Sequence, residues 1–215
     1  MKVALIGASG FVGKAVLNEL LQKGHQVTAV VRNVENLASE NGLNIVKADA
    51  TDIEVLTDLV KDSDVVISAF NAGWGNPDMY RDFLIGSKAI QEGVKRSGVK
   101  RYVVIGGAGS LFIDGKQLVD SPEFPAEYKD GAMAAREYLN YLMSETELDW
   151  VFLSPAIEMH PGTSGIRKGS YRIGTDTPVF DTNGRSIISV EDTALAVVDE
   201  IENSHHSRQR FTVAY

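Results

Sequence analysis

Three glycines near the N-terminus stand at a spacing that suits phosphate binding. The segment reads Gly7-Ala8-Ser9-Gly10-Phe11-Val12-Gly13, a G-x-x-G-x-x-G loop between an apolar run and a helical pattern. In such loops the first glycine permits a tight turn, the second lets the backbone approach a pyrophosphate, and the third lets the helix pack on the sheet. Free N–H groups and the helix dipole favour phosphate there. We therefore predict that these seven residues bind a dinucleotide; the alternative is a purely structural turn.

The end of the second predicted strand indicates which dinucleotide binds. The sequence there is Val30-Val31-Arg32-Asn33, with no acidic residue before Glu35. An NAD site usually places Asp or Glu at this point to accept the ribose hydroxyls, whereas Arg can contact a 2′-phosphate. We predict NADP as the cofactor through Arg32, with NAD as a possible ligand. The alternative interpretation of Arg32 is a solvated surface side chain.

Alternating strands and helices must position these groups. Buried strands read as apolar runs, and helices show apolar residues three and four positions apart. The alternation predicts the α/β class, as a Rossmann-type, doubly wound, mostly parallel sheet. The predicted strands are Val3–Ile6, Gln26–Val31, Asn44–Lys47, Asp64–Ala69, Arg101–Ile105, Trp150–Leu153 and Arg210–Ala214. The predicted helices are Gly10–Lys23, Ile53–Lys61, Asp78–Ser97, Ala126–Glu145 and Glu191–Glu202.

Two segments depart from the alternation. A polar loop is predicted after the fifth strand, up to Pro125. Residues 154–186 are rich in proline and glycine and contain only short strand-like pieces, which predicts a small irregular substrate lobe. Because ligands of such folds bind outside the carboxyl ends of the strands, we expect this lobe to belong to one domain over residues 1–215.

Composition narrows the function classes. The 215 residues are 44% hydrophobic and 23% charged, as in a soluble globular domain. A formal net charge of −8 argues against nucleic acid or an anionic membrane as the partner. No cysteine is present, and the acidic residues show no metal-ligand spacing, so we expect no metal site. The sequence shows neither a signal-peptide core nor a membrane-spanning run, so we expect a cytoplasmic protein. We also expect a monomer or homodimer that acts on a small planar substrate.

With these motifs the chain resembles the atypical short-chain dehydrogenase/reductase superfamily. It is similar there to NAD(P)H-binding proteins of the flavin reductase and biliverdin reductase B kind, and more distantly to nucleotide-sugar epimerases. Besides the glycine loop, the resemblance rests on Asp49 and on the segments Ser68–Asn71, Gly106–Ser110, Leu153–Ala156, Ile188–Asp192 and Arg210–Val213.

The resemblance implies roles for several of these residues. Asp49 would contact the adenine; Ala69, Phe70 and Asn71 would line the cofactor; and Pro155 would pass beside the nicotinamide. The alternative for Asp49 is an Asx turn before the next helix, and Pro155 is also an ordinary turn residue after a strand.

The usual proton donor of this superfamily is missing from its expected place. Most members carry Tyr-x-x-x-Lys on the helix after strand five, where the lysine lowers the pKa of the tyrosine. Extended members commonly have a glutamate four residues past that lysine. If Glu137 is that glutamate, Met133 stands at the lysine position and Lys129 at the tyrosine position. Tyr128, one residue away, has Ala132 four positions on. This departure disfavours alcohol dehydrogenation and epimerisation.

Two places in the sequence offer the remaining candidates for a catalytic role. Tyr128, or its neighbour Lys129, could donate a proton, although a solvated side chain in the first turn of a helix is the alternative. Ser110 could hydrogen-bond a substrate oxygen or the nicotinamide amide, or simply cap the adjacent turn. Aromatic rings in loops or helix starts near the carboxyl edge of the sheet could stack on a planar ligand or serve packing; they are Trp74, Tyr80, Phe112 and Tyr171.

Three functions fit these observations. The first is an NADPH-dependent reductase of a flavin, quinone or similar planar acceptor, which can take its proton from water. The second is a non-catalytic NADP(H)-binding redox sensor that acts through a protein partner. The third is a nucleotide-sugar epimerase or dehydratase, which would require Tyr128 or Lys129 to replace the missing tyrosine and a lobe large enough for a nucleotide sugar.

Overall fold

The computed structural model describes residues 1–215 and contains ten strands and five helices. The strands are β1 (Lys2–Ile6), β2 (Gln26–Val31), β3 (Leu43–Lys47), β4 (Val65–Ser68), β5 (Arg101–Ile105), β6 (Phe112–Ile113), β7 (Lys116–Gln117), β8 (Asp149–Ser154), β9 (Arg172–Gly174) and β10 (Gln209–Ala214). Eight of them form the central sheet, in the order β3-β2-β1-β4-β5-β8-β10-β9. The helices are α1 (Phe11–Gln22), α2 (Ile53–Val60), α3 (Met79–Ser97), α4 (Ala126–Leu142) and α5 (Val190–Asn203). All neighbours in the sheet are parallel except β10 and β9.

The sheet is covered on both faces because its strands alternate their side chains between two apolar layers. Leu5 of β1 and Ile67 of β4 belong to the layer under α1 and α5, whereas Ile6 and Val66 belong to the layer under α2, α3 and α4. From β1 the chain winds outward through β2 and β3, and then returns to β4 and winds the other way. The predicted fold class is thereby confirmed, and the strand order reverses between β1 and β4, where such folds bind ligands.

The segment predicted as a polar loop after β5 contains a small hairpin, so that prediction was incomplete. β6 and β7 pair antiparallel across Asp114 and Gly115, whose φ angles are 49° and 77°. An Asp-Gly pair with two positive φ angles is a common two-residue hairpin turn. The sequence carried this signal, but the flanking strands of two residues each are too short to show alternation.

Residues 154–186 are mostly irregular and are anchored on the rest of the domain. β9 adds an antiparallel edge strand beside β10, and Arg167 donates to the carboxylate of Glu19 on α1 at 2.8 Å. The backbone N–H groups of Lys168 and Gly169 donate to the fully buried Asp192 of α5. These contacts brace residues 167–169 against α1 and α5. The substrate role of the lobe stays a prediction.

None of the helices combines the length and the apolar character that crossing a membrane requires. The His, Asp and Glu side chains do not gather in groups of three or more that could hold a metal ion.

Helix α4 ends at Leu142, three residues before its predicted end, and in the turn that follows the Glu145 carboxylate accepts from backbone N–H groups. The Glu145 carboxylate is buried and accepts hydrogen bonds from the backbone N–H of Glu147 at 2.6 Å and from Gln91 at 3.0 Å. It also pairs with Lys95 at 3.1 Å. Burial alone would raise the pKa of Glu145, but the hydrogen bonds from Glu147, Lys95 and Gln91 outweigh burial and lower it.

The Glu145→Gln substitution should therefore destabilise the fold in a pH-dependent way. A lowered folded-state pKa contributes stability above the unfolded-state pKa, and that stability is lost as the pH falls through the folded-state value. We expect the free energy of unfolding to drop by about 1–3 kcal/mol at pH 7, with a smaller drop at pH 3. Urea unfolding at both pH values measures this. Glu147→Gln, which removes an exposed partner of the same Lys95, should cost less than about 1 kcal/mol. An equal loss at both pH values for Glu145→Gln would contradict this account.

Candidate cofactor-binding site

The three glycines of the loop after β1 occupy different environments. Gly7 has a φ of 78°, and a Cβ atom there would lie 2.5 Å from the carbonyl oxygen of Ala69. A Cβ atom on Gly13 would lie 2.1 Å from the carbonyl oxygen of Gly7. Gly10 is exposed, and its nearest neighbour would be 3.3 Å from a Cβ atom. Gly7 and Gly13 are thus required by packing, whereas Gly10 leaves open surface that a ligand can approach.

The N-terminus of α1 presents unpaired backbone donors beside this open surface. Gly10 precedes the helix in an extended conformation, with φ −77° and ψ 174°, and no side chain caps the helix. The first helical hydrogen bond runs from Lys14 N to Gly10 O at 2.9 Å, so the N–H groups of Phe11, Val12 and Gly13 have no partner in the helix. Such free donors, at the positive end of the helix dipole, fit a pyrophosphate.

The loops after β2 and β3 carry the two residues predicted for the adenosine half of the cofactor. Arg32 is exposed and forms no hydrogen bond or ion pair. Asp49 Oδ1 accepts from the N–H and the hydroxyl of Thr51, at 2.9 and 2.7 Å, so the Asx turn is present. The two bonds from Thr51, followed by the charge of Arg32, lower the pKa of Asp49. Because Oδ2 of Asp49 accepts no hydrogen bond, the turn leaves it available to an adenine amino group, a role that stays a prediction.

The ends of β4 and β8 border the other half of the crevice. Ala69 hydrogen-bonds to the end of β1 at 3.0 Å, and the Phe70 ring packs against the Phe83 ring at 6.0 Å. Asn71 Oδ1 accepts from the backbone two residues on, which fixes the start of the β4–α3 loop. Pro155 is buried directly after β8. Ala69 and Phe70 lie next to Gly7, and the contact of these residues with a cofactor stays a prediction.

Ser110 is held by an arginine that the sequence did not associate with it. The serine is 1% exposed, and Arg210 of β10 donates to its hydroxyl at 3.2 Å and to its carbonyl oxygen at 2.7 Å. The same guanidinium pairs with Asp176 in the segment after β9. In this arrangement the hydroxyl of Ser110 points to Arg210, which favours the structural interpretation. Catalysis by Ser110 stays a prediction that would require the loop to move.

Tyr128 and Lys129 lie in the first turn of α4, and both are exposed. The face of α4 that packs on the loop after β5 carries alanines instead. The Cβ atom of Ala132 lies 2.8 Å from where a Cβ atom on Gly109 would be, and that of Ala135 lies 3.6 Å from the corresponding point on Gly107. Small apolar side chains therefore line this contact, and neither of them can exchange a proton.

The four aromatic residues that could stack on a planar ligand fall into two groups. Trp74, Tyr80 and Phe112 are 63%, 38% and 36% exposed, and the Trp74 ring meets the Tyr128 ring edge-on at 5.5 Å. Tyr171 differs, because its ring packs in the layer of α1 and α5 and its hydroxyl donates to Asp199 of α5 at 2.9 Å. The contacts of Tyr171 thus favour the packing alternative, and stacking of the other three rings on a ligand stays a prediction.

Known proteins resemble this chain over nearly its whole length. The model of a family described as NAD(P)H-binding matches residues 7–204. A Bacillus subtilis protein without an assigned function, YwnB, is 38% identical over 99% of this chain and 98% of its own. A solved structure of a candidate epimerase from Bacteroides thetaiotaomicron is 47% identical, covers 100% of this chain and 96% of its own, and superposes with a TM-score of 0.91. A candidate NADH-flavin reductase from Streptococcus pneumoniae is 36% identical, covers 100% and 99%, and has a TM-score of 0.86.

Proposed function

The chain belongs to the NAD(P)H-binding family, within the atypical short-chain dehydrogenase/reductase superfamily, and we propose that it is an NADPH-dependent reductase of a planar acceptor such as a flavin or quinone. The family is one of oxidoreductases that bind a nicotinamide cofactor. The acceptor and the phosphate preference are the parts that we propose.

The residues at the carboxyl edge fit the cofactor. Free N–H groups at the start of α1 and the open surface at Gly10 suit the pyrophosphate. The unpaired guanidinium of Arg32 suits a 2′-phosphate, since it has no internal partner to give up. When bound, NADPH supplies a hydride, and the acceptor takes a further proton to complete its two-electron reduction.

One observation carries the choice of acceptor. The α4 face against the loop after β5 presents Ala132 and Ala135, and the nearby Tyr128 and Lys129 are exposed at the first turn. Alcohol oxidation and epimerisation require a positioned group that takes a proton from a hydroxyl. A flavin or quinone ring needs no such group, because solvent can protonate its reduced form. The lack of a fixed donor therefore supports a planar electron acceptor.

The proposal is tested by following NADPH oxidation at 340 nm with FMN, riboflavin and a quinone. Turnover with at least one acceptor is the expected result. Cofactor binding in a thermal-shift titration, with no turnover for any acceptor, would contradict the proposal. It would instead favour a redox sensor, particularly if oxidised and reduced cofactor bind with different affinity, since only a difference in affinity shifts a protein between states.

Variants at the start of α4 test whether a side chain supplies the proton. An epimerase, the activity in the description of the Bacteroides relative, would need such a side chain. We expect Tyr128→Phe and Lys129→Ala to keep kcat for acceptor reduction within about threefold, because solvent supplies the proton, whereas loss of a general acid costs about 100-fold or more. Steady-state kinetics between pH 6 and pH 9 measures this. A fall of that size in Tyr128→Phe would assign the tyrosine as the proton donor and contradict the solvent route.

A further inference from the structure

A tryptophan is held exposed by a firmly braced loop. Trp74 lies between β4 and α3 and is 63% exposed. On one side of it, Asn71 Oδ1 accepts from Gly73 N at 2.7 Å; on the other, Asn76 Nδ2 donates to Asp82 at 2.9 Å. These bonds brace the loop on both sides of the indole, and most of the indole surface lies in water. An apolar ring kept exposed in this way is available to a ligand.

The indole rests on a helix position that lacks a side chain. A Cβ atom on Gly131 of α4 would lie 3.0 Å from Cζ3 of Trp74 and 3.2 Å from Cε of Met79. The Tyr128 ring, one helical turn earlier, stands at 84° to the indole with the centroids 5.5 Å apart. Gly131 therefore lets the indole lie against α4, and Tyr128 supports it from the side.

This pair lies on the nicotinamide half of the crevice. The loop begins at Ala69, whose carbonyl oxygen touches Gly7, and it reaches α4 at Gly131. The next residue on α4, Ala132, packs against Gly109 in the loop after β5. Arg32 lies on the opposite side of the crevice, after β2. A dinucleotide that binds across the point where the strand order reverses, with its adenosine half at Arg32, therefore directs its nicotinamide towards β4 and β5.

We propose that Trp74 is the platform on which the ring of the acceptor stacks, with Tyr128 against the ring's edge. A flat ligand can lie parallel to only one of two perpendicular rings, and aromatic pairs favour offset stacking on one face and edge contact with the other. The more exposed indole is the stacking partner. The inference rests on the proposed reductase function and deepens it. It means that the site selects its acceptor by the flat conjugated ring that stacks on Trp74, rather than by hydrogen bonds.

Binding of oxidised acceptor tests the platform without any turnover. The probes are riboflavin and 1,4-naphthoquinone, titrated in the presence of NADP⁺, so that no electrons are supplied. The chain has two tryptophans, and the other, Trp150, is 2% exposed, so quenching of the exposed emission reports on Trp74. By equilibrium dialysis we expect Trp74→Leu to raise the Kd about fivefold, and Trp74→Phe to stay within about twofold of the wild type. Gly131→Ala should weaken binding as well, because its Cβ atom displaces the indole.

A matched control comes from the same helix. Tyr141→Leu removes a ring that is 45% exposed on α4 but lies more than three turns from Tyr128, and it should leave the Kd unchanged. Circular dichroism and thermal unfolding verify that each variant folds. An unchanged Kd in Trp74→Leu, or the absence of Trp74 quenching with either probe, would overturn the platform.

Parallel measurements of NADPH oxidation keep the two proposals apart. Turnover with an unchanged KM in Trp74→Leu would overturn the platform and leave the reductase standing. If Trp74→Leu weakens acceptor binding but the protein turns over no acceptor, the platform is supported and the reductase is refuted.

Discussion

Replacing Arg32 by alanine is expected to abolish any preference for NADPH over NADH. The guanidinium follows β2, is exposed and forms no internal hydrogen bond or ion pair, so its removal costs the fold little. A hydrogen bond to a charged group contributes about 1.5–3 kcal/mol, which corresponds to a loss of NADPH affinity of about tenfold to a hundredfold. NADH lacks the 2′-phosphate, and its Kd should change by less than about twofold.

The measurement is a thermal-shift or calorimetric titration of both cofactors against the wild type and the variant. Arg32→Lys is the matched control, since it keeps the charge but loses the bidentate geometry. Its NADPH affinity should lie between that of the wild type and that of Arg32→Ala. The Streptococcus pneumoniae neighbour is described as a candidate NADH-flavin reductase, so comparing NADH with NADPH is decisive for the proposed phosphate preference. Equal affinity of the wild type for the two cofactors, or an unaltered ratio in Arg32→Ala, would refute the assignment.

Replacing Gly13 by alanine and replacing Gly10 by alanine should have different effects on stability and on cofactor binding. At Gly13 the new Cβ atom would lie 2.1 Å from the carbonyl oxygen of Gly7, a backbone atom, so α1 must move away from β1. We expect a loss of about 3 kcal/mol, at the upper end of the usual cost of overpacking, and a fall in Tm of about 6–12 °C. Cofactor affinity should fall as well, because the start of α1 is displaced.

Gly10→Ala should leave the fold nearly intact and still weaken cofactor binding. Gly10 has φ −77° and ψ 174°, a conformation open to any residue, and its Cβ atom would lie 3.3 Å from the nearest atom. Its stability should change by less than about 1 kcal/mol. A methyl group where the backbone approaches the pyrophosphate should nevertheless weaken binding more than about tenfold. Thermal unfolding without ligand and a titration with NADPH separate the two effects. Normal cofactor affinity in a folded Gly10→Ala variant would show that the pyrophosphate does not pass over this glycine.

The strand and helix order could be predicted from the sequence because its causes are local. Buried parallel strands must be apolar, so Val3–Ile6 and Arg101–Ile105 stand out as short runs between helical patterns. Gly7 and Gly13 are spaced by the geometry of a single turn, which one stretch of chain specifies by itself. Even the error at the end of α4 had a local origin. The helix ends three residues earlier than the apolar periodicity indicates, and the Glu145 carboxylate accepts from the backbone of the turn that follows.

The tertiary structure decided how the candidate side chains are used. Ser110 and Arg210 are separated by 100 positions, and only the juxtaposition of β10 with the loop after β5 brings the guanidinium to the hydroxyl. Trp74 acquires its support only because α4 presents Gly131 beneath it. The sequence determined a dinucleotide-binding α/β fold and located Arg32 at its edge. Which side chains face that edge, which are held by distant partners and which stay free were decided by packing, since those contacts join residues that no local pattern relates.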